Sequence, residues 1–173
     1  MAPGRRLVIV RHHRTVRVHP SRVGTRTRRV ATTNKRFDRF GCDVDDPRLD
    51  LDLDPIPRAA AEARQEVKAW LMGVRAPVGC LDDVLLIVSE LVTNAVLHAR
   101  TPLRLVLRYD GARVLAEVFD QDPRLPSPAS DPQTAGGRGL FLVDGLSTRW
   151  GSEHVRGGKR VWAELVPTPG RGC

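Results

Sequence analysis

The stretch SELVTNAVLHA, residues 89–99, sets Glu90, Asn94 and His98 four residues apart in an otherwise mostly apolar run. In a helix such positions fall within about 80° of one another, so a carboxylate, an amide and an imidazole share one stripe. Leu86 and Leu97 border that stripe on one side, Ile87 and Leu91 on the other. A polar line between apolar banks suits the wall of a covered pocket. The same side chains could instead satisfy buried backbone or a neighbouring Arg. Two further features bear on the choice. The run LAEVFD is hydrophobic until it ends on Asp120, and GGRGLFLV places Gly136, Gly137 and Gly139 at a helix start. Glycines there let backbone N–H groups approach an anion, which the helix dipole favours. A lone glycine pair at a helix start could equally be a lid hinge. Together, a polar helical stripe, a strand-end Asp, a covering loop and a Gly-rich helix start point to a site for an anionic ligand.

The elements that must position these residues follow from the periodicities. PRLDLDLDP alternates Leu and Asp as a half-exposed edge strand does, and Pro55 and Pro57 end it. Arg58 to Met72 is rich in helix formers, with Ala60, Ala63, Val67, Trp70 and Leu71 on one face. After APVG, residues 81–99 form a second helix, its start favoured by Asp82 and Asp83. Its core face is expected at Leu85, Val88, Val92, Ala95, Val96 and Ala99. Residues 103–120 read as a β-hairpin around Asp110-Gly111, and 121–137 as a proline-rich loop. RGLFLVDGLS is a short helix, and 148–166 is a second hairpin turning at Gly157-Gly158. The order β-α-α-β-β-loop-α-β-β predicts an α+β, two-layer sandwich: a mainly antiparallel sheet with helices on one face.

Charge divides the chain. Of the 28 Lys/Arg and 20 Asp/Glu, residues 1–40 hold 12 basic and one acidic, so residues 41–173 hold 16 basic against 19 acidic. The net +8 therefore belongs to a tail. Residues 1–44 read as a basic, disordered segment without helical or strand periodicity, 45–167 as the domain and 168–173 as a short C-terminal tail. Clustered Arg also suits an electrostatic arm for nucleic acid through residues 1–40, although no stacking aromatics accompany it. There is no apolar run near ~18 residues, hence no membrane partner is expected. Three Cys without a CxxC pair argue against a disulfide framework and fit a reducing cytoplasm.

On these residues the sequence resembles the GHKL ATPases. SELVTNAVLHA is similar to their N box, VFDQD to the first glycine-box region and GGRGLFLV to the second. Within that superfamily it most resembles the anti-sigma-factor serine/threonine kinases, especially actinobacterial ATP-binding regulators ending in a stretch like RWG…GGKRVWAEL. The resemblance spans roughly residues 49–166. It implies the Bergerat fold with ATP and Mg²⁺ as ligands. Glu90 is then the general base for the attacking hydroxyl, and Asn94 the residue that holds Mg²⁺. Asp120 accepts from the adenine amine, residues 121–135 form the lid, and Gly137, Arg138, Gly139 and Leu140 cradle the phosphates. His98 is expected at the rim or in packing.

Two departures stand out. Asp122 occupies a position where the family often has Gly, and Arg160 stands where a Thr supporting the adenine-reading Asp is expected, free to pair with Asp120 or to point outward. The implied function is phosphorylation of an antagonist protein on Ser or Thr, with regulation of transcription through a sigma factor, and a homodimer is one implied assembly. The alternatives are a non-catalytic ATP-dependent switch module and a nucleic-acid regulator acting through the basic tail.

Overall fold

In a computed structural model, the structure describes residues 28–31, 34–37, 43–77, 79, 81–126 and 138–166. Eight strands and three α-helices follow in chain order: β1 (Arg28–Ala31), β2 (Asn34–Phe37), β3 (Asp43–Asp46), β4 (Arg48–Leu53), α1 (Ala59–Gly73), α2 (Leu81–Asn94), β5 (Leu103–Tyr109), β6 (Val114–Asp120), α3 (Arg138–Leu146), β7 (Arg149–Val155) and β8 (Gly158–Leu165). A π-helical turn, Ala95–Ala99, extends α2. Six strands form one sheet in the order β1-β4-β5-β6-β8-β7, every pair antiparallel, while β2 and β3 pair separately. The α+β sandwich expected from the sequence is the observed fold.

Alternation explains the sheet. Leu49, Leu51 and Leu53 of β4, Leu103, Leu105 and Leu107 of β5, Val114, Ala116 and Val118 of β6, and Val161, Ala163 and Leu165 of β8 all face the core. Successive strand residues point to opposite faces, so each Leu or Val alternates with an outward side chain. The helices close the inner face with Ala59, Ala63, Val67, Trp70 and Leu71 of α1 and Val84, Ile87, Val88, Leu91 and Val92 of α2. Each fully buried Val, Ile or Leu contributes roughly 1.5–3 kcal/mol relative to exposure. Ser89 Oγ donates to Leu85 O at 2.6 Å and accepts from Arg64 Nη1 at 3.3 Å, tying α2 to α1.

Four expectations need correction. The core face of α2 is rotated and wider than the sequence suggests: Ile87 is 0% and Leu91 2% exposed, whereas Leu86 is 39% exposed. A helix packed on both a sheet and a neighbouring helix buries more than one stripe. The edge strand is also misplaced. β1 pairs with β4 from Arg28↔Asp52 to Ala31↔Leu49, so β4 is paired on both sides. Residues 28–31, 34–37 and 43–44, read as part of an irregular tail, are strand: the unpaired side of β4 offers backbone groups to β1, while β2 and β3 satisfy each other. Lastly, the second hairpin pairs Val155 with Gly158, so it turns at Arg156-Gly157, with Gly157 at φ 90°. Residues 1–27 of the basic segment and 127–137 of the loop lie outside the described residues.

Outward on β4, Asp50 is only 7% exposed because Arg48 and Arg104 clamp it, Arg48 Nη2 at 3.0 Å. Its hydrogen bond from Arg104, ahead of the opposing effect of burial, raises the guanidinium pKa above the ordinary value. Glu117, on the same sheet face, lies 3.1 Å from Arg160 and 3.4 Å from Arg108. The outer face of the sheet is therefore built from charge pairs where the inner face is built from aliphatic side chains.

Candidate nucleotide site

Glu90 and Asn94 lie one turn apart on the part of α2 that passes the start of α3. Both are half-buried. The Nδ2 of Asn94 is buried without a hydrogen-bond partner, a state that costs free energy unless something else occupies the space beside it. Gly139, the second residue of α3, is buried directly against this pair. A methyl group there would lie 2.6 Å from Glu90 Oε2, and 3.4 Å and 3.5 Å from the Asn94 Nδ2 and Oδ1. With glycine there, the helix start approaches the carboxylate without either having to shift. The first backbone N–H groups of α3 lack intrahelical partners, so an array of donors meets a carboxylate and an amide across a narrow gap.

Beyond Asn94 the helix changes its winding. Ala95–Ala99 is π-helical and ends at Arg100, which is left-handed at φ 54° and donates its N–H to Ala95 O at 3.2 Å. Single π turns often occur at functional sites. His98 sits in this turn and is exposed, consistent with a rim position, and its carbonyl accepts from Arg124 Nη2 at 3.5 Å.

Asp120 ends β6 on the inner face and is 5% exposed. Its Oδ1 accepts from the Asp122 N–H at 2.9 Å and from Lys159 Nζ at 2.9 Å, whereas its Oδ2 is buried without a partner. Lys159 is equally buried, at 5%, and also donates to the Asp122 carbonyl at 3.1 Å. The residue beside Asp120 is therefore Lys159, its register partner, and not Arg160. Arg160 points to the other sheet face, where it meets Glu117 and Glu153 and lies 5.8 Å from the Trp162 ring. Lys159 escaped the sequence reading, although counting back by two from Leu165, Ala163 and Val161 puts residue 159 on the inner face.

Asp122, in place of the glycine expected there, takes up Arg124. Arg124 Nε donates to its two oxygens at 3.0 and 3.1 Å, and Asp122 Oδ1 also accepts the Arg124 N–H. These hydrogen bonds hold the Asp122 carboxyl down at about 2. Gly158 packs its Cα against the Asp120–Gln121 backbone. An added Cβ would overlap the Asp120 carbonyl and come within 2.6 Å of Gln121 Cα.

These residues fit the ligands the resemblance implies. A buried carboxylate oxygen with no partner suits an amine donor, and an amide beside a carboxylate offers oxygen ligands of the kind Mg²⁺ takes. Among the described residues no cluster of three or more His, Cys, Asp or Glu is placed to hold a metal. Leu140 is 5% exposed, so its backbone rather than its side chain is the group available to a phosphate. Gly137 and the Arg138 side chain lie outside the described residues. An open cavity of about 380 Å³ is lined by Asp52, Asp54, Arg104, Phe119, Asp120 and Arg156 among others, so it reaches Asp120 but none of Glu90, Asn94 or Gly139.

Comparison with known proteins agrees with this geometry. Among solved structures, the chain is similar to the RsbU and RsbW domains of Rv1364c from Mycobacterium tuberculosis, with 23% identity and a TM-score of 0.55. The likeness covers 76% of this chain and 36% of that one, and at this identity it shows the fold alone. No curated protein matches significantly. Residues 53–165 match the family model of the histidine kinase-like ATPase domain, a span that holds Glu90, Asn94, Asp120, Gly139 and Lys159. The chain belongs to the histidine kinase-like ATPase domain family.

Proposed function

We propose that this protein is an ATP- and Mg²⁺-binding regulator of the anti-sigma-factor type, which phosphorylates an antagonist protein on Ser or Thr and controls transcription by exchanging partners. The observation that carries the reading is the approach of Gly139 to Glu90 and Asn94, which joins a carboxylate, an amide and a helix N-terminus in one cleft. The similarity to a structure containing an RsbW domain supports the partner-switching class.

In this reading Asp120 Oδ2 accepts a hydrogen bond from the adenine amine, and the backbone N–H groups at the start of α3, around Arg138, Gly139 and Leu140, receive the phosphates together with Gly137. Asn94 would hold Mg²⁺, which would supply charge neutralisation for the phosphates. Glu90 takes the proton of the attacking Ser or Thr hydroxyl. The new bond joins that oxygen to the γ-phosphorus, the bond to the β–γ bridging oxygen breaks, and ADP leaves with its electron pair. Positioning and charge stabilisation supply most of the rate, as in phosphoryl transfer generally.

The test uses partners captured from the source cell, labelled ATP, and two variants. Asn94→Ala should lose Mg²⁺-dependent ATP affinity and transfer together. Glu90→Gln should bind ATP while transfer falls by ~10²-fold or more, the range for a lost general base. Transfer by Glu90→Gln as fast as by the parent would remove Glu90 from that role. If no phosphate moves, yet ATP alters partner affinity in the parent and not in Asn94→Ala, the protein is a non-catalytic switch.

A further inference from the structure

We infer that Lys159 is a specificity-determining positioning residue of the nucleotide site: by occupying Asp120 Oδ1 it leaves Oδ2 as the single acceptor and fixes its direction for an exocyclic amine. The inference rests on the nucleotide reading above and deepens it.

Three observations carry it. The ammonium and the carboxylate are register partners on adjacent strands, and their side chains are 7% and 1% exposed. A buried carboxylate with an unsatisfied oxygen is costly unless a cation and further donors compensate it. Lys159 Nζ, at 2.9 Å, supplies the cation, and the Asp122 N–H, at 2.9 Å, supplies a second donor to the same oxygen. Both compensating bonds converge on Oδ1, so the carboxylate cannot turn without losing them, and Oδ2 stays empty. The second bond of Lys159, to the Asp122 carbonyl at 3.1 Å, anchors the ammonium to the segment leaving β6. An acceptor held this way discriminates by hydrogen-bond complementarity. A purine with an amine opposite Oδ2 is bound, and one without it leaves a buried oxygen unpaired.

The experiment compares ATP with purine riboside triphosphate, which lacks the amine, and uses inorganic tripolyphosphate with Mg²⁺ as a probe of the phosphate end alone. In the parent, ATP should bind about 10- to 100-fold more tightly than the amine-free analogue, the value of a hydrogen bond to a charged group. In Lys159→Met that ratio should fall to within about threefold of unity, while tripolyphosphate affinity stays at the parent value. Lys159→Gln, which keeps a donor but not the charge, serves if the Met variant does not fold, and should also lower the ratio with tripolyphosphate unchanged. A parent-like ratio in the folded variant overturns the inference. Equal loss of ATP, analogue and tripolyphosphate binding also overturns it, because the role of Lys159 would then be structural. A ratio near unity in the parent itself overturns the assignment of Asp120 to the base, a different failure.

Discussion

A single atom decides whether the cleft between α2 and α3 can work. Gly139→Ala would place a methyl 2.6 Å from Glu90 Oε2, so either the carboxylate swings away or the start of α3 retreats. Phosphoryl transfer should drop at least tenfold with the melting temperature nearly unchanged, a split readable by activity assay beside thermal unfolding; a normal rate would show that Glu90 does not act from this position. Asp122 gives a second residue-level test. Arg124 holds its carboxyl at about 2, so the folded-state value lies below the unfolded one, near 3.9. The linkage therefore favours the folded chain above pH ~4 and is lost as pH falls toward 2. Carboxyl NMR should find Asp122 ionised at pH 3, and in Arg124→Gln its midpoint should move up toward the ordinary value.

At the scale of elements, the helix faces test the packing. Ile87→Ala removes a fully buried side chain and should cost about 2–5 kcal/mol, whereas Leu86→Ala, on a 39% exposed neighbour, should stay within about 0.5 kcal/mol. Chemical denaturation of both variants measures the difference, and equal costs would contradict the observed rotation of α2. The hairpins, both long helices and α3 were legible in the sequence because each element's period, caps and turns are local properties. The misreadings were tertiary. Ile87 looks like a bank of the polar stripe until α2 is packed on its neighbours, and β4 looks like an edge until a strand from the basic segment lies beside it. Glu90, Asn94 and Asp120 stood out in the sequence by type and spacing, and the roles proposed for them come from the resemblance. Lys159 did not, since its role depends on which residue β8 sets opposite Asp120, a register that no single strand encodes.

For the whole molecule, every buried core residue among those whose burial is described lies between Leu49 and Leu165. Deleting residues 1–40 should therefore leave the domain folded and able to bind ATP, but it removes β1 and bares one side of β4. Calorimetry should show an intact cooperative transition, and sedimentation should show more self-association, since an uncovered strand edge is a template for pairing. Loss of the transition would mean the segment is part of the core. The pairing of β6 with β8 has another consequence. It brings together Asp120 and Lys159, 39 positions apart in sequence, across residues 121–137, α3 and β7. Neighbouring strands joined by short turns close early at small entropic cost, whereas this closure, like that of β4 with β5, spans whole elements and belongs later in folding. In the nucleotide reading proposed above, the acceptor for the base would exist only in chains that have paired β8 with β6. A nucleotide that binds the finished fold there would act as a clamp on it, adding about 2.7 kcal/mol when present at a hundred times its dissociation constant.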